Sequence, residues 1–216
     1  MSDIIYLPVS LGEAMDKLTI LDIKQDRIKD SRRNDVLVEY ELLYKKLESY
    51  ISLYKQLYES MKKVNASIWD FMDELRDGAL DEPSYFTLCK KTIEYNDIRF
   101  RIKNKINTVS GSILKEQKGY KINSILIDIS DSLIDIKNFV KPIRYYACLY
   151  DQIVIRYSGS SKLRSTFMDD PTIIFVDNID TSLLYKETYT FTKNEYTHNE
   201  LLDLFKVDDA LINSIL

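Results

Sequence analysis

Histidine occurs once in this chain, as His198, and cysteine twice, as Cys89 and Cys148. No CxxC pair and no cysteine–histidine spacing is present, which argues against a zinc site and against a disulfide framework, and for a reducing compartment. A Ser-His-Asp or Cys-His arrangement cannot be assembled convincingly from one imidazole and two thiols with no activating neighbour in sequence, so no catalytic residue can be named. Long apolar runs are missing too. No stretch approaches the about 20 residues of a membrane span, and the opening MSDIIYLPVSLGE lacks the basic start and apolar core of a secretion signal. A cytoplasmic location is expected, the host cytoplasm if the source is a virus. Glycine is scarce at 5 residues whereas tyrosine reaches 16, with many Ile, Lys, Asn and Asp, the bias of AT-rich coding in a low-GC microbe or a large DNA virus.

What is present is the composition of a folded protein. The chain is 45 % hydrophobic and 30 % charged over 216 residues, enough to build a core without metal or cofactor. A net charge of −4 gives no general attraction to nucleic acid, so polyanion binding would need a local patch.

Three helices are predicted in the first half. Ser10 and Glu13 have the spacing of a capping box. After them Leu11, Ala14, Leu18, Leu21 and Ile28 form an apolar stripe to about Asp30. From Val36 to Leu75 apolar residues then alternate at spacings of four and three, which predicts one unbroken helix of about 60 Å. Asp77-Gly78 is a stop signal and Pro83 a start. The third helix, Ser84 to Val109, has two apolar faces, one through Tyr85, Leu88, Tyr95 and Ile102, the other through Phe86, Cys89, Ile93 and Phe100, and so expects two packing partners. Arg99 sits in its seam, where the stem packs and the head reaches solvent or a carboxylate.

A boundary is placed near residue 120. Residues 1–120 carry 20 basic and 20 acidic side chains, and residues 121–216 carry 10 and 14, so the net negative charge belongs to the second region. There Ser124–Ile129, Gln152–Tyr157, Thr172–Val176 and Leu184–Phe191 read as strands, with a helix from Leu133 to Tyr150 interrupted at Pro142. Strand, crossover and strand of this length predict a βαβ unit. Thr197 and Glu200 form a second capping box, with Tyr196 and Leu201 as its staple, and Asp208 caps a last turn. The fold class is thus α+β: a long antiparallel helical hairpin or three-helix assembly over 1–120, then a small α/β region over 121–216.

Four groups of residues are candidates for chemistry. On the first helix Ser10, Glu13, Asp16, Lys17, Thr19, Lys24 and Arg27 could line an anion or sugar pocket, or could form a solvated face with pairs such as Glu13 to Lys17. After the second strand Arg156, Ser158, Gly159, Ser160, Ser161, Lys162 and Arg164 could cradle a phosphate, or could be a plain turn, since neither a GxGxxG nor a Walker pattern is present. Asp128, Asp131 and Asp135 could hold a divalent ion but serve as well for helix caps. Lys90, Lys91, Arg99, Arg101, Lys103 and Lys105 make the third helix locally basic, yet nucleic acid is disfavoured by the acidic whole.

The stretch PVSLGEAMDKLTILDIKQDRI, Pro8 to Ile28, with EQK-x-Y at Glu116 to Tyr120, resembles the signature of a small, mainly bacterial family of unknown function. The resemblance covers about residues 4–120. It implies a surface-polysaccharide context, because members of that family accompany glycosyltransferase genes, and it offers no catalytic residue. Two readings follow. The first is a non-catalytic binding or assembly module that associates with itself or with a protein partner through its helices. The second is a sugar-transfer or nucleotide-sugar-binding enzyme that uses the C-terminal α/β region.

Overall fold

The computed structural model describes residues 4–119, 121–129, 136–159, 161–180 and 184–216. The chain falls into two compact units, Met1–Lys118 and Gly119–Leu216, and the fold is α+β.

The first unit holds four helices: α1 (Leu11–Arg27), α2 (Arg33–Leu53), α3 (Lys55–Asp77) and α4 (Glu82–Val109). The expected 40-residue rod is therefore two helices. Tyr54 leaves helical geometry with φ −112° and ψ 34°, although neither proline nor glycine stands nearby. The adjacent Ser52 hydroxyl donates back to the Glu48 carbonyl at 3.1 Å, a bond that competes with the helical ladder and bends helices. The heptad seam changes register at this break. Val36 and Leu47 are buried ahead of it, Tyr50 is exposed, and beyond it Tyr58 and Asn65 join Met61 and Val64 inside.

The predicted stop at Gly78 is present, with φ 72° at the end of α3. Asp81 caps α4 by accepting from the Ser84 amide at 2.9 Å, with Pro83 in the first turn. α1 ends at Arg27 rather than Asp30. Short as it is, it packs against α2, α3 and α4, while α3 and α4 pack against each other. Met15, Leu18, Leu21, Ile102 and Ile106 are essentially inaccessible at the centre.

The second unit is built on a parallel sheet of β1 (Ser124–Ile129), β2 (Gln152–Arg156), β3 (Ile173–Val176) and β4 (Glu187–Phe191), in the order β3-β2-β1-β4. α5 (Val140–Leu149) connects β1 to β2, preceded by a 3-10 turn at Lys137–Phe139. This is the expected βαβ unit, but Pro142 lies in the first turn of α5 and does not interrupt it, because a proline there removes no helical hydrogen bond. α6 (Ser161–Thr166) follows β2, and α7 (His198–Phe205) and α8 (Asp209–Asn213) close the chain. Ile125, Ile127, Ile153 and Ile155 pair in register on one face of the sheet and are fully buried. On the same face Tyr189 and Phe191 of β4 meet Tyr146 of α5 and Phe205 of α7.

Candidate functional site

α1 carries the polar residues of the motif into the interior of the helical unit. Ser10 caps it by accepting from the Glu13 amide at 3.2 Å. The reciprocal half of the expected capping box is absent, because the Glu13 carboxylate accepts from Lys103 Nζ on α4 at 2.9 Å instead. Gly12 lies so close to α4 that a Cβ there would overlap the Lys103 carbonyl and stand 2.8 Å from Asn107 Oδ1. Its own amide donates to that Asn107 oxygen at 2.7 Å. Glycine is thus required by the close crossing of two helices and not by backbone torsion.

Asp16 is 1 % exposed and gathers partners from two other helices. Arg99 of α4 donates to it through Nε at 2.8 Å and Nη2 at 2.6 Å, a bidentate pair. Asn65 of α3 donates to Asp16 Oδ1 and to Thr19 Oγ1, both at 2.8 Å, and the Thr19 hydroxyl donates to the Asp16 carbonyl. The Asp16 bond raises the Arg99 guanidinium's pKa against the opposing effect of burial. Burial presses the Lys103 ammonium downward, and its bonds to Glu116 and Glu13 reverse the balance to a net rise. Nearly two turns beyond Asp16, Asp22 accepts from Tyr58 at 2.7 Å and faces Lys62 at 3.3 Å. Burial first, and the Asp22 charge second, push the Tyr40 phenol up to about 12.

The solvated-face reading of α1 therefore fails for Asp16 and Thr19, and the pair expected between Glu13 and Lys17 is replaced by cross-helix pairs. Lys17 binds Glu39 of α2 at 2.6 Å, and Arg27 binds Asp70 of α3 at 2.7 Å. Of Lys17, Lys24 and Arg27, only Lys17 lines the neighbouring cavity. The basic appearance of α4 also dissolves in part, since Lys103 and Lys105 are buried and Arg99 is spent on Asp16.

Beside this network lies a cavity of about 620 Å³. Ile4, Leu7 and Val9 of the leading segment wall it on one side, and Ala14 and Ile20 of α1 with Leu42 and Leu43 of α2 complete an aliphatic lining. Glu13, Asp16, Lys17, Glu39, Lys46 and Arg99 supply its charge. Of the candidate residues on α1, the cavity collects Glu13, Asp16 and Lys17 and leaves Ser10, Thr19, Lys24 and Arg27 outside its lining.

Residues 5–135 match the model of DUF6165, a family of unknown function. The chain belongs to this family. The match takes in all four helices of the first unit and continues through β1, so the family's territory crosses the division between the two units. No curated protein and no solved structure matches the chain.

The candidate phosphate loop follows β2, as expected, but its two arginines are engaged. Arg156 is paired with Asp128 on the neighbouring strand, and Arg164 donates to Asp177 at 2.6 Å and to the Tyr157 carbonyl at 3.0 Å. Gly159 packs against the Tyr157 ring, where a Cβ would collide. Ser158, Ser161 and Lys162 are exposed, and Ser160 lies outside the described residues. In this strand order the chain reverses direction between β1 and β4, the place where parallel sheets open a ligand crevice, and the loop after β2 is not at it. Asp128 serves Arg156, while Asp131 and Asp135 lie outside the described residues. His198, a first-turn surface residue as expected, pairs with Asp209 of α8 at 2.9 Å.

Three features of the site have no counterpart in the sequence reading. Asn65 and Asn107 are buried amides that look like ordinary helix polar residues, and the apolar leading segment walls the cavity. A signal existed for Asn65 only, an amide beside Val64 at an inward position.

Proposed function

We propose that the chain is a non-catalytic binding or assembly module acting through its helical unit. The observation that supports this reading is the double-sided character of α2. Val36 and Leu47 are buried against the unit, while Val38, Leu42 and Leu53, which fall within about 60° of one another on a stripe away from that pair, are 62 %, 52 % and 69 % exposed. A helix apolar on both sides has two partners, and one copy supplies only the first. The charges of α2 suit a second copy running antiparallel. Its first half holds Asp35, Glu39 and Glu41 against Arg33, and its second half Lys45 and Lys46 against Glu48, so a two-fold pairing sets the acidic half against the basic half.

Light scattering coupled to size exclusion at micromolar concentration tests this. The expected result is a mass of two chains, returned to one chain by Val38→Glu together with Leu53→Glu; a wild-type monomer at tens of micromolar rejects self-association. A surface-glycan context comes from the family resemblance alone and belongs to the same proposal. The sugar-transfer alternative has less support, since both arginines of the loop after β2 are already paired, Arg156 with Asp128 and Arg164 with Asp177.

A further inference from the structure

We infer that the cavity between the leading segment, α1 and α2 is a binding site for an aliphatic anion, an alkyl or acyl chain ended by a carboxylate or a phosphate. Its volume of about 620 Å³ falls inside the range of small-molecule clefts. The walls are branched aliphatic side chains contributed by three separate segments, and they offer a chain dispersion contacts along its length with no hydrogen-bonding group to satisfy. The charges decide the sign of the head group. Of the six charged residues in the lining, Asp16 is bound to Arg99, Lys17 to Glu39, and Glu13 to Lys103 outside the lining. Lys46 remains. Its only partner among the described residues is the face of the Tyr6 ring, 4.8 Å from Nζ. Tyr6 is itself 74 % exposed, so the ring can swing aside as an anion arrives, exchanging a cation–π contact for a charge-assisted bond. A sugar does not suit this lining, because hydroxyls on every face would meet hydrocarbon, and Tyr6 is the one aromatic ring available for stacking.

This inference goes beyond the assembly reading, with which it shares Glu39, Leu42 and Lys46 of α2; Leu7→Asp, outside α2, tests the cavity alone. Val38 and Leu53, which test self-association, do not line the cavity, so light scattering and ligand titration answer separately. The experiment is isothermal titration of the full chain with dodecanoate and with dodecyl phosphate, both below their micelle-forming concentrations. Acetate and inorganic phosphate serve as heads without chains, and dodecyltrimethylammonium as a chain of opposite charge. Saturable one-site binding of both chain-bearing anions is expected, with no heat from the bare heads. Lys46→Gln, at an exposed position, should weaken both anions about tenfold, the worth of one charge-assisted bond. Leu7→Asp, also exposed, should weaken them further by placing a carboxylate in the wall. Equal binding of dodecyltrimethylammonium, unchanged affinity in Lys46→Gln, or binding only to phosphatidylglycerol vesicles and not to monomeric dodecanoate would each overturn the assignment.

Discussion

Gly12 and Asp16 lie one helical turn apart on α1, and both are needed for the same crossing. Gly12 lets the backbone of α1 approach the Lys103 carbonyl, and at that spacing Asp16 can receive both arms of Arg99. A carboxylate buried this deeply is tolerated only because Arg99, Asn65 and the turn itself satisfy it. From the sequence the pair is half legible. The i,i+4 spacing and the seam position of Arg99 are visible, but the depth of Asp16 is set by a neighbour 83 residues away, which no local pattern reports. Gly12→Ala should cost about 1–3 kcal/mol of unfolding free energy by forcing α1 away from α4. Gly119→Ala, where a Cβ meets nothing within 4 Å and φ is ordinary, should be neutral or slightly stabilising. Urea midpoints of the two variants at a common slope check the difference.

Among the elements, those framed by local chemistry were the readable ones. α7 begins with a complete capping box: Thr197 accepts from the Glu200 amide, and Glu200 accepts from the Thr197 amide. The β-branched runs of β1 and β2 declared themselves equally well. The break between α2 and α3 did not, since neither proline nor glycine marks it and the spacing of apolar positions runs through it undisturbed. α7 also carries a pH dependence. Lys193 first, and the Thr197 amide second, hold the Glu200 carboxyl down to about 2 from its ordinary 4.5. The folded chain thus favours the ionised form more than the unfolded chain does. Its contribution is complete above about pH 4.5 and is lost as the pH falls towards 2. Thermal midpoints of wild type and Glu200→Gln should accordingly differ at pH 5 and converge near pH 2; a constant gap would show that the charge is not what the box uses.

For the molecule as a whole, composition pointed to two regions before any geometry was known, because one half is electrically balanced and the other carries the surplus acid. The strand order was beyond reach of the sequence: β4 returns past β3 and β2 to pair with β1, a choice made by tertiary packing among equally β-prone segments. The end of the first unit is tied down. Glu116 and Lys118 are fastened to Lys103 and Asp97 of α4, and Lys121 just beyond them is exposed. Brief trypsin digestion of the native protein should therefore cut after Lys121 before it cuts after Lys118, as N-terminal sequencing of the fragments would reveal.

Lys103 has a consequence for how the first unit communicates. Its one ammonium clasps Glu13, in the opening turn of α1, and Glu116, in the irregular segment that follows α4. Entrance and exit of the unit are buckled together at a single point. A pull on the outgoing chain is thus borne by Lys103 as well as by the backbone, and loads Glu13, a residue of the cavity wall.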